Sequence, residues 1–399
     1  LLNSGELDIP ETPPGTTSTI AIPKSVLESV NTAEIWLTVS FRLRNSTSWA
    51  AAGHEISWFQ HNLTASQPSK TLQTLVQKVT LPLQLQSTKT EWIISNTIFK
   101  MTFDRVRGSL KSWQASGNDL LETDPLTTSA LSLSFWRSPT DNDRPGDEII
   151  WRRYGVDALT SQLRSFVIKQ SDSTQIVLQS TAYLSPPILA WGFTSTTTYT
   201  ISHSGSLTVT VHLIPQGSHP EFLPRLGFNV RLHRTLQQAQ WFGLGPGESY
   251  PDKGAAQRVG IYEKSVDALE TSYEVPQENG NRMGTRWVRM TDDLGVGVRA
   301  RRVAGLAGGS GSGSGGEEKE GSNESDGEAL LLNWAAGWYG PEALDRARHP
   351  CDLVKEDAVL WRLDGAVSGV GSAACGPGIG EKYRVRCEEV HFGIQLESV

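Results

Sequence analysis

Along most of this chain apolar and polar residues alternate with a period of two, the pattern of a strand with one face in a core. The alternation is plain at residues 33–43, 175–184, 207–213, 226–232 and 287–291, and residues 196–200 form a run of Thr and Tyr, types that favour strands. Gly, Pro, Asn and Asp punctuate these runs, and no long helical period separates them. The pattern therefore predicts an all-β protein of antiparallel sandwiches. One helix is expected at 340–347, where Pro341 and Glu342 suit a first turn, and few others.

Turn-rich breaks divide the chain into two blocks. Residues 1–86 form a strand-rich block, and a second begins near Thr90 and runs to residue 399. The second is too large for an immunoglobulin-sized sandwich, so a large two-sheet sandwich is expected there. Within it, residues 305–328 consist largely of Gly, Ser, Glu and Asn, too little apolar surface to offset the entropy of ordering, and are expected to form a loop between strands.

Composition narrows the function classes. With 399 residues and 13 Trp the chain can bury a substantial core, while 36 basic against 43 acidic residues leave a formal charge of −7. Nucleic acid and anionic membrane both demand a basic face, so neither is an expected partner, and no apolar run approaches the ~20 residues needed to span a bilayer. Three cysteines (Cys351, Cys375, Cys387) are too few for a disulfide framework and point to a reducing, cytoplasmic setting. Sequons at Asn45, Asn62 and Asn323 are assigned to chance. The start, Leu1-Leu2-Asn3, has neither an initiator Met nor a signal peptide and is expected to continue a longer chain.

Four phrases hold the candidate chemistry. Asp141-Asn142-Asp143, after Pro139-Thr140, is either a carboxylate pair or an Asx-type turn, and the turn is preferred because an EF-hand's further oxygens are absent. Residues 241–252 combine Trp241, Phe242, several glycines and the carboxylates Glu248 and Asp252. Aromatic faces stack on sugar rings and carboxylates accept sugar hydroxyls, so Trp241 and Glu248 are candidate sugar contacts, against the plainer reading of a turn with buried aromatics. Pro276-Gln277-Glu278-Asn279-Gly280-Asn281-Arg282 is dense in hydrogen-bonding groups; Glu278 and Asn279 are candidate sugar contacts, set against a tight turn at Asn279-Gly280 and charge-assisted bonds that knit the sandwich. Residues 368–378, rich in Gly and Ala, carry Ser372 and Cys375. No metal site is expected: there is no Cys-x-x-Cys and no His-Glu-x-x-His, and His54 and His61 have no ligand partners nearby. A nucleophile elbow is also absent.

Ser134-Phe135-Trp136-Arg137-Ser138-Pro139-Thr140-Asp141-Asn142-Asp143, the 276–282 phrase and residues 369–378, in this order, resemble the carboxy-terminal region of the large β-galactosidases of glycoside hydrolase family 2. Residues 110–113, 241–252 and 381–383 fall where that resemblance expects them, and residues 35–39 with 48–56 are similar to the small sandwich that follows the catalytic barrel. The resemblance implies a small immunoglobulin-like sandwich followed by a galactose-mutarotase-like supersandwich, the small-chain domain, in a fungal-like member. It implies retaining hydrolysis of terminal β-D-galactosides such as lactose. That chemistry needs two carboxyls ~5–5.5 Å apart, which the family carries on a (β/α)₈ barrel of ~250 residues. No barrel pattern is present here, so no catalytic residue is assigned.

The family's magnesium and sodium are expected in barrel-side domains, with no cofactor in this chain. Its expected partners are a β-galactoside, a barrel segment or large subunit, and further copies in a homo-oligomer or complementing complex. The family also sends a loop of the large domain to the pocket mouth, where many bacterial members place a Trp that stacks on substrate. The matching loop here is 368–377, about one residue shorter, with Cys375 nearest that position. Cys offers much less stacking area than indole; the alternative is that Cys375 only packs in a glycine-rich hairpin. Rival functions are a free-standing carbohydrate-binding module and an aldose-epimerase-like enzyme, for which no His and Glu phrase stands out.

Overall fold

The computed structural model describes residues 3–23, 34–63, 81–304, 331–371 and 375–399. The expected loop at 305–328 lies outside them. The chain divides into two compact units, one formed mainly by the amino-terminal residues to Gln77 and a much larger one by Lys78–Glu320 with Ala329–Val399.

In the smaller unit the described strands are Trp36–Arg42 and Glu55–Asn62, an antiparallel pair with Trp36 opposite Asn62 and Phe41 opposite Ser57. The connection is closed by the Leu43 amide on the His54 carbonyl and the Gly53 amide on the Leu43 carbonyl. The strand predicted at 33–43 is present over Trp36–Arg42, and residue 33 lies outside the described residues.

The larger unit is a sandwich of two antiparallel sheets. One contains nine described strands, in the order Arg258–Ser265, Gln238–Gly245, Trp287–Thr291, Gly297–Val303, Val390–Ser398, Leu207–Gln216, Gly192–Ser202, Gln175–Ser185 and Thr160–Ser171. The other runs from Arg282–Thr285 through Leu332–Gly337, Ala358–Val367 and Arg225–His233 to Asn118–Leu121, Ser109–Ala115, Phe99–Asp104, Glu91–Ser95 and Gln84–Ser87, with Leu131–Ser134 also paired to Arg225–His233. Each strand expected in this unit falls within one of these. Gln84–Ser87, which the turn pattern grouped with residues 1–86, instead pairs with Glu91–Ser95 at the edge of the larger unit's sheet. Its few alternating residues are satisfied by the hairpin to that neighbour, a pairing that local pattern does not reveal. The expected helix is Pro341–Arg346, with Pro341 in its first turn; short helices also occur at Asp147–Arg153 and Val266–Leu269.

Alternation builds the core. In Gln175–Ser185 the side chains of Ile176, Leu178, Ser180, Ala182 and Leu184 are buried and the positions between them are partly exposed. Aromatic pairs then bridge the two sheets along their width: Trp92–Phe166 at 4.6 Å, Phe103–Tyr199 at 5.3 Å, Phe228–Phe392 at 5.1 Å and Trp241–Trp334 at 5.4 Å between ring centroids. Each such pair contributes about 0.5–1.5 kcal/mol beyond the area it buries. The bridges hold the sheets in register, so the loops at the strand ends start from rigid anchors.

Candidate functional site

The phrases that are far apart in sequence are brought together by hydrogen bonds between the connections of these strands. Residues 135–146 follow Leu131–Ser134, residues 246–257 follow Gln238–Gly245, residues 270–281 precede Arg282–Thr285, and residues 368–371 follow Ala358–Val367. Buried ionic and amide groups join all four.

Arg137 and Asp143 form the centre. Arg137 is fully buried and Asp143 is 3% exposed. Arg137 Nη2 donates to Asp143 Oδ1 at 2.7 Å and Oδ2 at 3.0 Å, and to the Gly369 carbonyl at 2.9 Å, while Nη1 donates to the Ser368 carbonyl at 2.6 Å. Asp143 Oδ2 also accepts from the Thr140 amide at 2.9 Å, so the expected Asx-type turn exists and its carboxylate serves a buried arginine as well. Burial works against the Arg137 charge, but Asp143 outweighs it and the guanidinium's pKa rises. Sequence spacing did not reveal this pair, because a separation of six residues in a loop has no fixed geometry.

The base of the 368–377 loop is held from three further sides. Asp252 accepts from the Val370 amide at 3.0 Å and the Gly371 amide at 2.7 Å. Asn142 Nδ2 donates to the Val370 and Gly371 carbonyls. The Gly369 amide bonds the Tyr383 carbonyl at 2.8 Å, and Ser368 Oγ donates to the Leu223 carbonyl at 2.7 Å. A Cβ at 369 would lie 2.7 Å from Asp252 Cγ, so a side chain there would displace the carboxylate that holds the loop. Beyond this base, Cys375 is exposed; Ser372 lies outside the described residues.

The other candidates are engaged within the protein. Trp241 is fully buried, with Nε1 donating to the Leu244 carbonyl at 3.0 Å and its ring between Tyr262 and Trp334. It is a core residue, not an open stacking face. Glu248 accepts from Lys253, from the Tyr273 hydroxyl at 2.7 Å and from the Gly280 amide at 2.9 Å. Burial pushes its pKa up, yet these donors prevail and hold it below the usual carboxylate value. Glu278 is buried, paired with Arg362 and accepting from the Tyr250 hydroxyl at 3.2 Å; burial raises the Tyr250 pKa well above its ordinary value. Asn279 accepts from the Thr271 amide and donates to the Gln277 carbonyl. These carboxylates and amides satisfy backbone groups and cations of neighbouring loops, which a linear sequence does not display. Arg362, Asp252 and Asn142, by contrast, emerge as positioning residues; Asp252 and Asn142 were signalled only by membership of polar phrases, and Arg362 by nothing in the sequence.

A second buried pair lies deeper in the sheet. Arg225 Nε and Nη2 both donate to Asp364 Oδ1, at 3.1 and 2.6 Å, and Arg225 Nη1 is buried with no partner. Burial pushes the Asp364 carboxyl up to about 6 and lowers the Arg225 pKa.

On the nine-stranded sheet the fold also assembles a group that sequence spacing passed over. His212, Glu389 and His391 place their ligand-capable atoms within 4.8 Å of one another.

A two-sheet sandwich whose loop phrases are bound by buried arginine–carboxylate pairs defines the class of protein, and comparison with known families gives the particular one. The chain belongs to the β-galactosidase small-chain family: the family described as "Beta galactosidase small chain" matches residues 95–396, and "Beta-galactosidase, domain 4" matches residues 1–64. Among curated relatives, the beta-galactosidase of Kluyveromyces lactis is 28% identical over 89% of this chain and 31% of its own length. That of Arthrobacter sp. (strain B7) is 25% identical over 94% of this chain and 34% of its own. The chain therefore spans about a third of the length of these relatives.

Solved structures to which it is similar include a galactose mutarotase related enzyme of Lactobacillus acidophilus, with 9% identity, TM-score 0.39, and coverage of 77% of this chain and 97% of that one. Galactose 1-epimerase from Lactobacillus acidophilus NCFM has 9% identity, TM-score 0.38, and coverage of 80% and 99%. At these scores the likeness carries no functional argument. No helix among the described residues is long and apolar enough to cross a membrane.

Proposed function

We propose that this chain is the non-catalytic carboxy-terminal portion, or the small subunit, of a β-galactosidase that hydrolyses terminal β-D-galactosides with retention. The carrying observation is the collinear family match, residues 1–64 to domain 4 and residues 95–396 to the small chain. In this reading the acid/base and nucleophile lie on a barrel outside these 399 residues, and the chain contributes the rim of the pocket and surface for assembly with that barrel or with further copies. The rim is the 368–377 loop. Its base at 368–371 is anchored by Arg137, Asn142 and Asp252, and Cys375 is exposed. A thiol excludes water from little of a sugar face, so galactosides bind without the aromatic stacking an indole supplies. The carbohydrate-binding-module reading loses its principal support, because Trp241 is in the core.

The test is complementation. The purified chain is mixed with a barrel-bearing fragment of a family member and assayed with a chromogenic galactoside. No turnover is expected from the chain alone, and turnover is expected on mixing. Turnover by the chain alone, with a covalent intermediate trapped on one of its own carboxylates, overturns the proposal. In the complemented enzyme Cys375→Trp is expected to lower KM about 3- to 10-fold through added stacking, with the thermal midpoint of the chain unchanged.

A further inference from the structure

Leu207–Gln216 and Val390–Ser398 run antiparallel side by side, and their register sets His212 directly opposite His391. In the first strand Leu207, Val209, Val211 and Leu213 are buried in the core, so His212, at the alternate position, stands on the sheet's other face. Glu389 lies two residues before His391, and the two-residue repeat carries its side chain to the same face.

The geometry that results is compact. His212 Nε2 lies 2.7 Å and His391 Nε2 3.7 Å from Glu389 Oε1. The two imidazole rings are stacked, with centroids 3.8 Å apart and planes 17° from parallel. His391 Nδ1 is buried without a hydrogen-bond partner, so Nε2 is that ring's polar contact with the cluster. Two imidazole nitrogens and one carboxylate oxygen form a donor set suited to a borderline divalent ion, with water completing the shell. Bonds of about 2.0–2.2 Å at tetrahedral angles place ligand atoms roughly 3.3–3.6 Å apart. The three residues are partly or fully exposed, and the present separations of 2.7 and 3.7 Å from Glu389 Oε1 bracket that spacing.

We propose that His212, Glu389 and His391 form a binding site for a divalent transition-metal ion of the zinc class. Its ligands come from the two adjacent strands, and Val390–Ser398 is itself bonded on its other edge to Gly297–Val303. A bound ion therefore ties together the pairing at the middle of the nine-stranded sheet. The site is independent of the loop cluster around Arg137 and of the β-galactosidase reading.

The experiment uses the full chain carrying Cys351→Ser and Cys375→Ser, so that exposed thiols do not capture metal. Titration with zinc chloride in a calorimeter is expected to give one equivalent bound with a dissociation constant on the order of 1–10 µM. Zinc at about 100 µM should raise the thermal midpoint by a few degrees, and magnesium should not. His212→Ala, Glu389→Gln and His391→Gln should each weaken zinc binding at least about tenfold. Cobalt(II) should develop visible absorption in the parent and not in His212→Ala. Loss of binding in a variant counts only where its metal-free thermal midpoint matches the parent's; His212→Gln, close in volume, serves where His212→Ala does not fold. The absence of zinc binding at about 100 µM, or zinc affinity unchanged by His212→Ala or His212→Gln, overturns the proposal.

Discussion

Two buried arginine–aspartate pairs occupy the same sandwich and do different work. Arg137–Asp143 joins loops separated by more than 230 residues, because Arg137 also donates to the Ser368 and Gly369 carbonyls. Arg225–Asp364 ties only neighbouring strands, since Arg225–His233 is already paired to Ala358–Val367. Both Asp143 oxygens receive donors, one of them a backbone amide. At the second pair two guanidinium donors crowd one oxygen and Nη1 has none to meet. Accordingly the charge on Arg137 is favoured in place, whereas burial disfavours both charges of the second pair. Each pair leaves one buried guanidinium nitrogen without a partner, Nε of Arg137 and Nη1 of Arg225, so the opposite balances follow the carboxylates: both Asp143 oxygens accept, whereas the Arg225 donors converge on Asp364 Oδ1 alone.

The largest expected effect follows from breaking the Arg137–Asp143 pair. Asp143→Ala strands a buried guanidinium and the Thr140 amide, and chemical denaturation should show a loss of about 3–5 kcal/mol. A loss below about 1 kcal/mol would mean that Arg137 does not depend on this carboxylate.

The second pair should show itself in pH dependence. An Asp364 carboxyl at about 6 when folded, against 3.8 unfolded, binds its proton more tightly in the native state. Its contribution to stability is therefore full below the unfolded value and is lost as pH rises through about 6, roughly 3 kcal/mol in all. Unfolding measured between pH 4 and 7 should show this fall in the parent relative to Arg225→Met/Asp364→Leu, which lacks the group. A constant difference across that range would exclude the raised value.

Asp252→Ala tests whether the first cluster serves the loop as well as the core. Two backbone amides lose their acceptor, and about 1–3 kcal/mol should be lost, with faster hydrogen exchange at Val370 and Gly371. Unchanged exchange at those amides would leave the loop base independent of Asp252. The smallest loss is expected for Arg225→Met/Asp364→Leu at pH 7. Replacing the strained pair by apolar groups should leave stability within about 1 kcal/mol of the parent, or above it. A loss comparable to that of Asp143→Ala would erase the contrast between the two pairs.

Much of the architecture was legible because alternation is a local property. Ile176, Leu178, Ala182 and Leu184 declare a buried face within one strand, and Pro341 marks a helix start without reference to any distant residue. Polar phrases were legible as places but not as partners. Trp241 and Glu248 suggested a sugar surface because aromatic and acidic side chains suit one, yet both face inward to protein groups. Nothing in the order of residues shows that Trp334 packs against the Trp241 indole, or that the Gly280 amide points at Glu248.

Strand periodicity, the two-sheet class and the family motifs were settled by the chain's own residues, since each depends on neighbours a few positions away. Tertiary structure alone decided which strands are adjacent, and with that the pairing of Arg137 with the 368–371 carbonyls and of His212 with His391. Those contacts join positions more than 170 residues apart. They exist only after sheet order and register have brought the strand ends together, because hydrogen bonds and ion pairs act over a few ångströms in space and are indifferent to distance along the chain.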